Sequence, residues 1–231
     1  MRFTAAWVLI TSTVAVSGAQ AQLTLPSRFS VGGDLTLSQP KSEFAQNVGN
    51  GYGFDFTGLL SLDPKGFFNI RADVGGVQYG REKKHIASQF TGLIRYNLET
   101  DNRIEFGSVG VQLQNPGGWF RPYANAAIAL TGFTTQSTLS DDNNTFQPLS
   151  NTNSNDMSHA WIFGGGVKIP FSQFSSGALN FGARYFYGGQ AQYLTRGDIV
   201  DQPDGSVVLN FRNSKTDLVL WQLGASFTIP R

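Results

Sequence analysis

Hydrophobic and polar positions alternate with period two along much of this chain, most clearly in its closing segment. There Val219, Trp221, Leu223, Ala225, Phe227 and Ile229 share one face, and Leu220, Gln222, Gly224, Ser226 and Thr228 share the other. One face is apolar, the other small and mostly polar. Such alternation marks a β-strand between two unlike environments. In a soluble barrel the apolar face turns inward. In a membrane barrel it meets lipid, and the polar face lines the lumen.

The same pattern recurs upstream. Phe29, Val31, Gly33, Leu35 and Leu37 alternate with Ser30, Gly32, Asp34, Thr36 and Ser38. Tyr52, Phe54, Phe56, Gly58, Leu60 and Leu62 alternate with Gly53, Asp55, Thr57, Leu59 and Ser61. Phe68, Ile70, Ala72 and Val74 oppose Asn69, Arg71, Asp73 and Gly75. The runs predict eight crossings, over 28–38, 51–62, 67–79, 104–114, 121–133, 159–170, 178–193 and 218–229. Gln89–Leu98 and Ser206–Phe211 are also strand-like and are read as β-extensions of two loops; counted as crossings, they would give ten strands. The expected fold is therefore all-β: a closed antiparallel transmembrane barrel, with ten strands as the alternative to eight.

The connectors alternate in length. Asp63–Gly66, Asn115–Trp119 and Pro170–Gly177 are short and carry Pro or Gly, as tight turns require. Gln39–Asn50, Gly80–Asn102, Thr134–Asp156 and Arg196–Lys215 are long and polar. Short turns at one end and long loops at the other is the asymmetry of an outer-membrane barrel. Thr134–Asp156, with its runs Asp141–Thr145 and Asn151–Asp156, is expected to be a mobile extracellular loop. Aromatic residues cluster at the expected strand ends. Phe67, Phe68, Trp119, Phe120 and Phe171 lie by short turns; Tyr79, Trp161, Tyr187, Tyr193 and, in the closing strand, Trp221 lie toward the long loops. Two girdles at headgroup depth are the expectation.

The front of the chain sets the compartment. Arg2 is followed by an apolar stretch from Ala5 to Val16 and by Ala19-Gln20-Ala21. A short basic region, an apolar core and an A-x-A site make a cleavable secretory signal. The expected division is 1–21 signal peptide and 22–231 barrel domain. Gln22 rather than Cys follows the site, which excludes a lipoprotein, and the chain has no Cys at all. No segment after the signal approaches the ~20 apolar residues of a spanning helix.

Composition agrees with the pattern. Charged residues are only 14%, while the chain holds 27 Gly and 19 Phe. That mixture suits short turns, close strand approach and a wide apolar belt. A net charge of +1 gives no basic field, so nucleic acid is not an expected partner.

Several charges within the crossings fall on the face opposite the apolar belt: Asp34, Asp55, Arg71, Asp73, Lys168 and Arg184. Charge facing lipid is costly, so alternation must turn these six inward. Mixed signs in a narrow lumen should pair into a network that holds the barrel together, since eight strands enclose little more than side chains. A narrow solute path is the other reading. Gly164-Gly165-Gly166 lies within a strand and either relieves lumen crowding or marks a bulge. No metal or cofactor site is expected, because Asp141, Asp142 and Asp156 lack the spacing of a calcium loop.

Taken together, the alternating runs, Arg121-Pro122-Tyr123-Ala124-Asn125-Ala126 and the closing Trp221–Phe227 segment resemble the small outer-membrane barrels, the superfamily of the OmpA transmembrane domain and OmpX. The resemblance spans the whole mature chain. It implies residence in the outer membrane of a Gram-negative-type envelope, among lipid and lipopolysaccharide. It also implies a C-terminal signal read by the barrel-assembly machinery, here Trp221, Leu223, Ala225, Phe227 and Ile229. The ending Pro230-Arg231 departs from the terminal aromatic usual in that group.

Some such barrels modify lipid A, which needs a nucleophile, a His base and a carboxylate. The two His are His85, in the charged run Arg81–His85, and His159, which follows Ser158. Neighbouring Ser158 and His159 point to opposite faces of a strand and so do not pair. The expected function is therefore non-enzymatic: an integral surface protein whose long loops meet an unidentified extracellular partner. A narrow channel, a lipid-modifying enzyme and a soluble periplasmic lipocalin-like barrel are the alternatives.

Overall fold

The computed structural model describes residues 29–87, 95–141, 149–172, 176–201 and 207–229. The expected signal segment, most of Gln89–Leu98, the Asp142–Thr145 run and Pro230-Arg231 lie outside these residues. Eight long strands run antiparallel: β1 (Phe29–Pro40), β2 (Gly51–Ser61), β3 (Phe68–Ala87), β4 (Arg95–Gln114), β5 (Arg121–Asp141), β6 (Leu149–Pro170), β7 (Gly177–Gly188) and, last in the chain, β12 (Leu218–Ile229). They close in the order β1-β12-β7-β6-β5-β4-β3-β2. Phe29 stands opposite Ile229 and Pro40 opposite Leu218, so the first and last strands seal the cylinder along their whole length. The barrel has eight strands, not ten. Gln190–Tyr193 (β8), Ile199–Asp201 (β9), Val207–Leu209 (β10) and Arg212–Lys215 (β11) form two small hairpin ladders in the fourth loop, β9 with β10 and β8 with β11.

The period-two pattern sets the wall. Every barrel strand carries exposed apolar residues at outward positions: Leu35, Phe54, Val74, Val109, Leu130, Phe163, Phe181 and Leu223. Water would penalise so large a continuous apolar surface, and lipid would not. β1, β2, β7 and β12 are 11 or 12 residues long, close to what one tilted membrane crossing takes. β3 to β6 are 20 to 22 residues long. The excess of roughly nine residues carries each of them about 30 Å further along the strand. Four adjacent strands thus rise as a sheet on one side of the barrel.

This corrects one expectation. Thr134–Asp156 is not a loop throughout, because β5 runs to Asp141 and β6 begins at Leu149, with Leu139 opposite Leu149. A ladder whose two faces both meet water needs no hydrophobic alternation, so Thr, Ser and Asn fill it. Gly80–Asn102 contains the matching β3–β4 extension, whose ladder runs to Ala87 opposite Arg95.

The short ends close by local chemistry. In the Asp63–Gly66 turn, Gly66 N–H donates to the Asp63 carbonyl at 3.1 Å, and Gly66 takes φ +77°, which favours glycine. The Asp63 carboxylate accepts from Phe68 N–H at 2.6 Å and Lys65 N–H at 3.1 Å. These donors, Phe68 first, hold its pKa below the usual carboxylate range.

Inward glycines let the strands coil around large buried side chains. At Gly75 a Cβ would lie 2.6 Å from the Asp55 Cβ and 2.7 Å from the Phe106 ring. The Gly164–Gly166 run has the same cause, since a Cβ on Gly166 would meet the Tyr123 hydroxyl at 2.6 Å. The β5–β6 register is regular there, so this run is not a bulge.

Candidate functional site

The interior has two storeys. Alternation turns all six expected charges, Asp34, Asp55, Arg71, Asp73, Lys168 and Arg184, into the half nearer the short turns, and all are buried. Asp73 is the hub. Arg71 reaches it at 2.8 Å and Arg184 at 2.9 Å. The hydroxyls of Thr57 and Ser108 each donate to it at 2.8 Å. Arg71 also donates to the Gln112 side-chain oxygen at 2.7 Å. Asp34 and Asp55 face each other across β1 and β2. They are held by amides, Asn180 Nδ2 donating to Asp34 at 2.7 Å and Gln222 Nε2 donating to Asp55. Lys168 stands apart from the ion pairs: its Nζ donates to Gln114 at 3.4 Å and lies over the Tyr123 ring. Four strands, β2, β3, β4 and β7, thus meet at Asp73 and its ligands, which ties distant parts of the wall together.

The storey nearer the long loops differs from the small, polar lumen that alternation predicts. Val77, Ile104, Phe106, Ile162, Phe186 and Leu220 point inward and pack into an apolar core. Phe44, in the 3-10 turn Phe44–Gln46 of the first loop, drops into the top of this core, fully buried. Its ring meets Tyr193 at 5.1 Å and Phe133 at 6.1 Å, both edge-on, and Tyr79 at 6.2 Å. Edge-to-face contact of this kind adds to simple burial. One cavity of about 10 Å³ remains in the apolar storey and another beside Asp34, Arg71 and Lys168. Each is about one water in size. Among the described residues the lumen is filled from both ends.

Two members of the expected girdle therefore move. Tyr79 and Tyr193 are buried, not at the lipid interface. Tyr79 is the extra residue of a bulge between Gln78 and Gly80, and its hydroxyl donates to the Leu194 carbonyl at 3.1 Å. Tyr193 follows the end of β7 at Gly188, where the chain turns inward; its hydroxyl lies 2.8 Å from the Ser214 hydroxyl. Phe67, Phe68, Trp119, Phe120, Trp161, Phe171, Tyr187 and Trp221 are exposed on the outer wall or at the turns. So are Leu223, Phe227 and Ile229 of the expected assembly segment, with Ala225 half-buried between them.

The mouth is laced shut by the first and fourth loops. Asp198 is buried and takes the Arg212 fork at 2.9 to 3.2 Å, together with Thr195 N–H at 2.9 Å and Thr195 Oγ1 at 2.7 Å. Burial alone would raise the Asp198 pKa; the Arg212 and Thr195 bonds outweigh it and hold the carboxyl below its ordinary value. The same guanidinium donates to Asn47 in the first loop at 3.2 Å, and Lys215 N–H donates to Glu43 at 3.2 Å. Phe44 is thus fixed from above as well as from the sides. Sequence reasoning missed this plug. The available signal was a lone large apolar residue, Phe44, in an otherwise polar loop.

His159 is exposed on the outer wall and Ser158 is buried on the inner side of β6. His85 lies in β3 opposite Asn97. Among the described residues no three His, Cys, Asp or Glu side chains cluster as metal ligands would.

The chain matches no family model and no curated protein. It is similar in outline to several solved structures. A major outer membrane protein from Thermus thermophilus aligns at 13% identity and TM-score 0.47, covering 88% of this chain and 99% of that one. Ail, the attachment invasion locus protein of Yersinia pestis, in complex with a heparin analogue, aligns at 10% and 0.46, covering 88% and 99%. OprG from Pseudomonas aeruginosa aligns at 13% and 0.46, covering 89% and 97%. The fold is a small eight-stranded barrel. That statement rests on its own closed strand order, at which β1 meets β12.

Proposed function

We propose that this chain is an integral outer-membrane barrel, exported through a cleaved signal, that works at the outer surface by presenting its loops and raised sheet to a partner. The observation that carries this reading is the contrast between a filled lumen and an elaborated mouth. About one water's volume is free in each storey, while β3 to β6 continue well beyond their neighbours. A rigid scaffold carrying surface segments is the usual division of labour in binding proteins. The outward apolar positions on all eight strands support residence in lipid. The aromatic-rich outward face of β12 supports recognition by the barrel-assembly machinery. The buried charge network and the Phe44 plug then serve stability and closure.

The absence of Cys makes the topology directly testable. Ser150→Cys, on the raised sheet, and Lys65→Cys, in a short turn, are treated on intact cells with a membrane-impermeant maleimide. The expected result is labelling at 150 in intact cells, and at 65 only after permeabilisation. The reverse pattern, or a protein recovered in the soluble periplasmic fraction, overturns the reading.

A further inference from the structure

Between the first loop, the tops of β3 and β4 and the fourth loop lies a cavity of about 300 Å³. Its walls are Asn47, Val48 and Gly49, then Tyr79 and Gly80, Asn102, and Thr195 and Arg196. That volume is at the small end of ligand sites.

The chemistry of the walls is one-sided. Among the described residues no carboxylate lines the cavity, and the one formal charge is the Arg196 guanidinium. Three other arginines of the mouth are committed: Arg81 and Arg103 hold Asp101, and Arg212 holds Asp198. Arg196 instead donates through Nη2 to the Arg81 carbonyl at 2.7 Å, and no carboxylate of the described residues pairs with it. Nearby acids are likewise taken, Glu82 by Gly197 N–H and Lys84, and Asp198 by Arg212 and Thr195.

The two side-chain amide oxygens of the wall are also occupied. Asn102 Oδ1 accepts from Thr135 at 2.6 Å, which leaves its amide nitrogen on the Gly80 side. Asn47 Oδ1 accepts from Arg212. What remains to meet a guest is a guanidinium and an amide N–H group, over a floor formed in part by Tyr79. Guanidinium forks bind carboxylates and phosphates through paired charge-assisted bonds.

We propose that the mouth cavity binds a small oxyanion-bearing molecule, a carboxylate or phosphate no larger than a single sugar ring, anchored by Arg196. The site takes only its access from the outward-facing mouth proposed above. Binding to purified protein reads the chemistry, and maleimide labelling reads the orientation, so either can fail alone.

The test uses the full mature chain refolded in detergent at low ionic strength. Titration calorimetry is run with D-glucuronate, inorganic phosphate and, as an uncharged control, D-glucose. The expected result is saturable binding of glucuronate, phosphate or both, and none of glucose; which anion binds names the source. Arg196→Gln should weaken it at least tenfold, and Arg196→Lys by less. Gly49→Phe should block it: a Cβ there meets no atom within 4 Å, and the Gly49 backbone is not left-handed, so the ring can enter without strain. Heat-shifted gel migration checks that each variant is folded. No saturable binding of either anion, equal binding of glucose, or unchanged affinity in folded Arg196→Gln would overturn the proposal.

Discussion

Replacing Asp73 by Asn removes the one negative charge that two buried guanidinium groups share. Arg71 and Arg184 sit 2.8 Å and 2.9 Å from it, and all three side chains are almost completely excluded from solvent. Breaking a buried ion pair from one side costs about 3–5 kcal/mol, because the remaining charge stays buried without its partner. Here two cations are stranded at once, so the upper end of that range applies. A native stability of about 5–15 kcal/mol makes this a large fraction of the total. With a urea slope of about 2 kcal/mol per molar, the unfolding midpoint should fall by roughly 2.5 M. The assay is urea unfolding of protein refolded into lipid vesicles, followed by tryptophan fluorescence. Trp119, Trp161 and Trp221 are exposed on the outer wall or at a turn and report the loss of the lipid environment. A cycle with Arg71→Met should show coupling of at least ~1 kcal/mol, because both changes disrupt one network. A loss below about 1 kcal/mol for Asp73→Asn, with the slope unchanged, would refute the reasoning that this cluster holds the barrel.

Two further outcomes follow from the mouth. Phe44→Ala should cost about 3–5 kcal/mol of local stability, the range for a buried Phe; hydrogen exchange in 41–50 should accelerate while that of the barrel strands is unchanged, and global destabilisation would contradict the plug. Asp198 has a folded pKa held below its unfolded value of about 3.9. Its contribution is therefore full above about pH 4 and is lost as pH falls through the folded value. Protection from exchange in 193–201 and 207–216, relative to the unstructured rate at each pH, should fall between pH 5 and pH 3 in the native chain and be low at both in Arg212→Met, and equal acid sensitivity in the two would argue against the clamp.

The wall was legible in the sequence because each crossing separates lipid from lumen, and that contrast writes itself as alternation. Asp34, Asp55, Arg71, Asp73, Lys168 and Arg184 were readable for the same reason. The raised sheet was harder. From Gln136 to Ser140 and from Leu149 to Thr152 neither face is buried, so the hydropathy signal that distinguishes strand from loop disappears. The apolar storey was hidden for the opposite reason. Val77, Phe106 and Phe186 are hydrophobic inward residues on strands that are also hydrophobic outward, and alternation marks only a difference between faces. Tyr79 could have been placed by parity, since it shares the odd-numbered face of Arg71, Asp73 and Val77. Its nearness to a strand end was the weaker guide. Phe44 needed the tertiary structure, because its partners Tyr79, Phe133 and Tyr193 come from three distant stretches of chain.

Single-channel recording of the refolded mature chain in a planar bilayer tests the central claim most directly. A lumen with an ion-paired lower storey and a Phe44-capped apolar upper storey should pass no discrete current steps, from protein shown to be folded by heat-shifted migration. Reproducible steps whose size changes on substitution of Arg71 or Arg184 would contradict a filled barrel and make the lumen, rather than the mouth, the working part of the molecule.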